Sequence, residues 1–146
     1  MKYTIKQFAT LFNTTEHTIR YYTDTNLLPC ERDHANRRLF NEESVNWMQG
    51  ISCLKGCGAS IEDIKKYCEL CHAEENEENL QARYKIILKQ REQAYKRLEE
   101  ARETVAYMEH KVKHYEAILA KAIPDDSNPD KWTADFRPEQ HELIAN

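Results

Sequence analysis

Thr18-Ile19-Arg20-Tyr21-Tyr22 decides the fold of this chain. It follows an amphipathic run, Ile5 to Phe12, and precedes Leu27-Leu28-Pro29, then Arg32, Arg37, Arg38 and Phe40. A short helix, a tight turn and a second helix bearing Thr, Arg and Tyr is the way a helix-turn-helix presents hydrogen-bond donors to DNA. The basic and aromatic stretch after it suits a β-wing that touches the backbone. The pattern predicts a DNA-binding head.

The start signals around this core agree. Thr4-Ile5-Lys6-Gln7 fits a capping box, Thr accepting from the backbone and Gln reaching back. The helix it opens would bury Ile5, Phe8, Ala9 and Phe12, and Asn13 suits the left-handed turn that ends it. Thr15 is the N-cap of a second helix, with Glu16 placed to favour its dipole. Asn26 would close that helix, with Leu27 and Leu28 packing it down. From Pro29 to Phe40 the chain is polar and turn-like, so a short two-stranded wing is expected. Asn41 with Glu42 and Glu43 opens a third helix whose buried stripe is Val45, Met48, Ile51 and Leu54. Gly56 and Gly58 end it. Ser60-Ile61-Glu62-Asp63 resembles another capping box, opening a helix with Ile61, Ile64, Cys68 and Cys71 on one side.

The cleanest periodicity lies further on. Leu80, Tyr84, Ile87, Arg91, Ala94, Leu98, Ala101, Val105, Met108, Val112, Tyr115, Leu119 and Ala122 alternate steps of four and three, a heptad seam with one charged interruption, Arg91. No Pro or Gly falls between Gly58 and Pro124. At 1.5 Å per residue a helix over 80–122 would be roughly 60 Å long. So small a head cannot cover such a seam. It needs a partner helix, which a second copy of the chain supplies.

Composition narrows the function classes. The chain has 146 residues, 32% of them charged, and only 3 Gly, which favours helix over sheet. The net charge of −4 argues against a uniformly basic nucleic-acid binder. Residues 1–72 hold nine Lys/Arg and nine Asp/Glu, residues 73–123 hold ten of each, and residues 124–146 hold two against six, so the tail carries the whole imbalance. A neutral head still binds DNA if its cations share one face, through a modest number of phosphate contacts. No apolar h-region follows Met1-Lys2 and no run reaches the length of a membrane span, so a cytoplasmic protein without membrane contact is expected. Five Cys without a secretory signal point to reduced thiols. No nucleophile, base and orienting group can be proposed together, so no enzyme is expected. A coiled-coil adaptor whose head binds protein is the alternative from another class.

The order of helix, Thr-Ile-Arg-Tyr-Tyr helix, Leu-Leu-Pro, Arg32, Arg38-Leu39-Phe40 and a helix pair split by Gly58-Ala59-Ser60-Ile61 resembles the MerR family of bacterial transcription regulators over roughly residues 3–70. The resemblance implies a mainly α protein: a winged helix-turn-helix head over 1–73, a dimerisation helix over 74–123 in an antiparallel coiled coil, and an acidic tail over 124–146. It implies a homodimer that binds a promoter palindrome in double-stranded DNA and kinks and untwists it. Such a dimer acts on RNA polymerase indirectly, through promoter shape. Carried over by position, Thr15, His17, Thr18, Arg20 and Tyr21 would face the groove and backbone from the recognition helix, and Tyr22 would pack or touch phosphate. Arg37 and Arg38 would contact DNA from the wing, with Phe40 anchoring it. The family's Gly after the recognition helix is Asn26 here, which tolerates left-handed geometry. Its Gly-Tyr before the wing Arg is Asn36-Arg37.

For sensing, the chain resembles the aldehyde- and electrophile-responsive branch, through a single Cys at about the position of Cys53. That makes Cys53 the candidate sensor thiol for an electrophile, an aldehyde or oxidative stress, with control of the same regulator by zinc or a small ligand as the alternative. The family's heavy-metal sensors take thiolates from the start of the dimerisation helix and the loop beyond, and this chain has no Cys after Cys71. Cys53, Cys57, Cys68 and Cys71 lie on two neighbouring helices, and four thiolates suit tetrahedral zinc, but their spacing is not that of a standard knuckle, and no metal is expected. Cys68-Glu69-Leu70-Cys71-His72 matches the c-type haem attachment pattern, yet haem ligation requires export. No cofactor is expected. In the tail, Trp132 and Phe136 are isolated aromatics, and Trp132 is expected to dock on the coiled coil or on a partner's head.

Overall fold

The computed structural model describes residues 1–134. Its elements run β1 (Tyr3–Thr4), α1 (Ile5–Leu11), α2 (Glu16–Asp24), β2 (Glu31–Arg32), β3 (Arg38–Phe40), α3 (Glu42–Gly56), α4 (Ile61–His72) and α5 (Glu77–Leu119), followed by a single 3-10 turn, Pro129–Lys131. The mainly helical class, the wing and the long C-terminal helix are as expected. The chain divides into two compact units at Ala94 and Tyr95, within α5.

In the first unit each helix starts where its cap stands. Thr4 and Gln7 exchange both bonds of a capping box, and Thr15 accepts from the Thr18 N–H. Asn41 and Ser44 form a second box, and Ser60 accepts from the Asp63 N–H. Asn13, Asn26 and Asn36 occupy the left-handed region at φ 47°, 58° and 59°. All three end an element or turn a loop, as short polar side chains that tolerate this geometry can. The sheet has three strands rather than the expected two, in the order β1-β3-β2, antiparallel throughout. The added strand pairs Tyr3 with Phe40 and Thr4 with Leu39, tying the wing to the N-terminus of α1.

The core gathers Phe8, Ile19, Tyr22, Leu27, Leu28, Phe40, Met48, Ile51, Ile64 and Cys68. The rings of Phe8 and Phe40 stack at 4.3 Å between centroids, joining α1 to the wing. Each such side chain, fully buried, contributes about 1.5–3 kcal/mol relative to its exposed state. Ser44 is buried as well, and its hydroxyl donates to the Pro29 carbonyl at 2.8 Å, fixing the start of α3 against the base of the wing. The first turns of α5 bury Ile86 and Gln90. Asp63, in the first turn of α4, accepts from Lys89 Nζ at 2.9 Å and from Gln90 Nε2 at 3.0 Å, so α4 and α5 are clamped together. The Lys89 ammonium, chiefly, holds the Asp63 carboxyl below its ordinary value.

In the second unit α5 continues to Leu119. Leu98, Val105, Met108, Val112, Tyr115 and Leu119 are exposed along it, six positions of the heptad seam. Lys121 at φ 58° turns the chain after the helix. Asp126 then accepts twice: its carboxylate pairs with His114 of α5, and its carbonyl takes the Trp132 indole N–H at 2.7 Å. Trp132 is half-buried and secures the tail against its own helix through Asp126. Phe136 lies outside the described residues.

Candidate nucleic-acid interface

Helix α2 carries two faces. Ile19 and Tyr22 turn into the core, 0% and 3% exposed. His17, Arg20, Tyr21 and Asp24 lie on the exposed face, at the spacing that an amphipathic helix gives its solvent side. Thr15 and Thr18 stand at the entry to the helix with their hydroxyls 2.9 Å apart. The Arg20 guanidinium is oriented along the helix by Glu16, one turn earlier, at 3.1 Å. Tyr21 is half-exposed, and the Lys65 ammonium of α4 lies 5.6 Å from its ring centroid, within cation–π range.

The wing is shaped by one carboxylate. Asp33 Oδ1 accepts from the N–H of Ala35 and of Arg37, each at 2.9 Å, while Oδ2 accepts from Arg37 Nε at 2.8 Å. Those bonds, the Arg37 backbone N–H first, hold the Asp33 carboxyl below its ordinary value. Asn36 fills the left-handed corner beside it, so the departure from glycine is accommodated without glycine. Arg37 projects from the tip, its side chain 78% exposed. Arg32 reaches back to the Asn36 carbonyl at 2.9 Å. Between the wing and α2 opens a cleft of about 470 Å³, lined by Thr4, Arg20, Asn36, Arg37 and Arg38 among others.

Three further residues of the expected site are largely covered. Arg38 is mostly covered, and its guanidinium donates to Thr23 Oγ1 at 2.9 Å and to the Asp24 carboxylate on α2. It braces the wing against the recognition helix. Phe40 is wholly buried, stacked on Phe8 of α1. Tyr22 is a core ring, packed rather than presented. Sequence reasoning also passed over Lys65, because only the fold brings α4 beside Tyr21. Its sole signal is a Lys-Lys pair, Lys65-Lys66, on an otherwise acidic helix.

The thiols do not assemble into a metal centre. Among the described residues no three His, Cys, Asp or Glu side chains lie close enough to hold an ion. Cys53 and Cys57 are exposed, whereas Cys68 is buried and pushed up to about 11, chiefly by that burial. Cys53 has Gln49 Nε2 at 3.8 Å.

A capped pair of helices in a helix-turn-helix, a braced wing beside it and exposed cations on one side define a winged helix-turn-helix protein. Residues 3–71 match the family model described as MerR HTH family regulatory protein. These residues form a MerR-family helix-turn-helix domain. It is 33% identical over 89 residues to the HTH-type transcriptional regulator AdhR of Bacillus subtilis, covering 60% of this chain and 62% of that one. It is 27% identical over 121 residues to an uncharacterised HTH-type transcriptional regulator of Haemophilus influenzae, covering 82% and 88%. Among solved structures it is similar to HiNmlR, a MerR family regulator lacking the sensor domain, bound to promoter DNA. The TM-score there is 0.69 at 25% identity, over 84% of this chain and 92% of that one. No helix among the described residues is long and apolar enough to cross a membrane.

Proposed function

We propose that this protein binds a promoter palindrome as a homodimer and alters transcription by distorting the DNA, acting on RNA polymerase through promoter shape. The observation that supports the reading is the exposure of Arg20 and Arg37 around one cleft, with Tyr21 exposed on the same helix as Arg20. Arg20 and His17 reach base edges or phosphates in the groove, Tyr21 and Arg37 meet the backbone, and Arg38 sets the distance between the two elements. A helix and a wing fixed to each other by Arg38 present their donors as one rigid surface, which limits the ordering that binding requires.

The dimer forms through α5. Its apolar seam is exposed among the described residues, and an antiparallel second copy covers it. Cys53, exposed on α3, is the thiol at which an aldehyde or related electrophile is read. Footprinting on the region upstream of the protein's own gene tests the DNA reading. A protected palindrome with enhanced cleavage at its centre is expected, and no protection of any duplex would refute it. Transcription in vitro with and without a small aldehyde tests the thiol. A Cys53→Ser protein that responds like wild type removes Cys53 from the mechanism.

A further inference from the structure

Glu16 opens α2 directly after the Thr15 cap, one turn before Arg20 on the same face of the helix. Its Oε2 accepts from Arg20 Nη2 at 3.1 Å, and its Oε1 takes no hydrogen bond among the described residues. Both side chains are about half-exposed. The other carboxylate of α2, Asp24, stands at the far end of the helix and is taken up by Arg38 of the wing. Glu16 is thus the acid at the N-terminal end of α2, the end that meets base edges when a helix-turn-helix enters the major groove. The helix dipole favours an acid here, and Arg20 offsets part of its charge. Neither effect uses the second oxygen. In a groove walled by phosphates, that oxygen is repelled unless a base donor meets it.

Two bases present a donor on the major-groove edge, cytosine through its N4 amino group and adenine through N6. Adenine sets its N7 acceptor beside that donor, where it opposes the lone pairs of a carboxylate. Cytosine carries no acceptor on this edge, and guanine and thymine offer only acceptors to hydrogen bonding there. We propose that Glu16 is a specificity-determining residue whose free oxygen accepts from N4 of a cytosine in the half-site. The inference rests on the reading of α2 as the helix that enters the groove, and it deepens that reading by assigning a base. The bond to Arg20 holds the carboxylate in place before DNA arrives, so less side-chain ordering remains for binding. Exclusion contributes as much as attraction, because any base other than cytosine sets an acceptor against the carboxylate.

Selection of duplexes from a random-sequence pool by the full-length protein tests the assignment, with wild type run beside Glu16→Gln and Glu16→Ala. The wild-type half-site should hold a position at which cytosine is enriched roughly tenfold over the other bases, the discrimination expected of one well-made base contact. In Glu16→Gln that position should turn to adenine, whose N6 and N7 suit the amide, and in Glu16→Ala it should lose its preference. An acid that only stabilised the helix or oriented Arg20 would not exchange cytosine for adenine. A wild-type half-site that prefers cytosine nowhere overturns the proposal and leaves the DNA reading standing. So does a half-site whose cytosine positions are all unchanged in either variant. A wild-type protein that enriches no sequence overturns both.

Discussion

Arg38 on β3 and Thr23 on α2 are joined at 2.9 Å, guanidinium to hydroxyl, and the same guanidinium reaches the Asp24 carboxylate on the next residue of the helix. Fifteen residues of chain separate the two partners, and their bond sets the wing at a fixed position beside the recognition helix. Arg38 thus braces the wing. The cation left to project is Arg37.

Arg38 and Arg37 should therefore fail differently when replaced. Arg38→Ala strips a largely covered side chain from two acceptors, and is expected to lower stability by about 1–2 kcal/mol. It should also weaken DNA binding without a matching change in salt dependence. Arg37→Ala should leave the urea midpoint in place and reduce the salt slope of binding by about one. Denaturant melts and binding isotherms at several salt concentrations separate the two. Equal stability losses would refute the assignment.

Asn26 sits at φ 58°, where a β-carbon is disfavoured. Asn26→Ala should destabilise the head by about 1 kcal/mol, and Asn26→Gly should be neutral or slightly stabilising. Thermal melts of both variants check the order. An alanine variant as stable as the glycine variant would mean that the turn does not require left-handed geometry.

The clamp between α4 and α5 predicts an acid response. The Asp63 carboxyl is depressed in the folded protein, so its contribution is present above the unfolded value, about 3.9, and is lost as pH falls through the lower folded value. Stability measured between pH 5 and 2 should drop more steeply in wild type than in Asp63→Asn across that window. Parallel curves would show that Lys89 and Gln90 contribute nothing through Asp63.

Along α5, Leu98 lies in the exposed seam, clear of the clamp. Leu98→Lys places a charge where the partner helix should pack, at a cost on the order of 1.5–3 kcal/mol in each copy. Sedimentation should show dimer giving way to monomer with helicity retained at high concentration. An unchanged dimer would place the interface elsewhere.

Much of this architecture is legible in the residues, and the illegible parts have physical causes. The caps at Thr4, Thr15, Asn41 and Ser60 act through neighbours three residues away, so the sequence displays them directly. Strand β1 is two residues long, too short for any alternation, and only its pairing with β3 reveals it. The seam of α5 shows at 80, 84 and 87, but its second face, Ile86 and Gln90, does not. Gln90 is buried because Asp63 accepts from it across 27 residues, and no local pattern foretells a buried amide. At the interface, Arg20 and Tyr21 follow from helical spacing alone. Whether Arg37 or Arg38 projects depends on partners on α2, and the burial of Phe40 depends on Phe8 of α1.

Binding of the upstream promoter duplex by wild type and Arg20→Ala, followed by anisotropy over a range of salt, tests the central claim most directly. Wild type should bind this duplex in preference to an unrelated one, with affinity falling steeply as salt rises. Arg20→Ala should lose about 1–3 kcal/mol of that binding, most of it at the specific site. If neither protein binds any duplex, the head is not a DNA reader, and a protein-binding adaptor built on the same coiled coil takes its place.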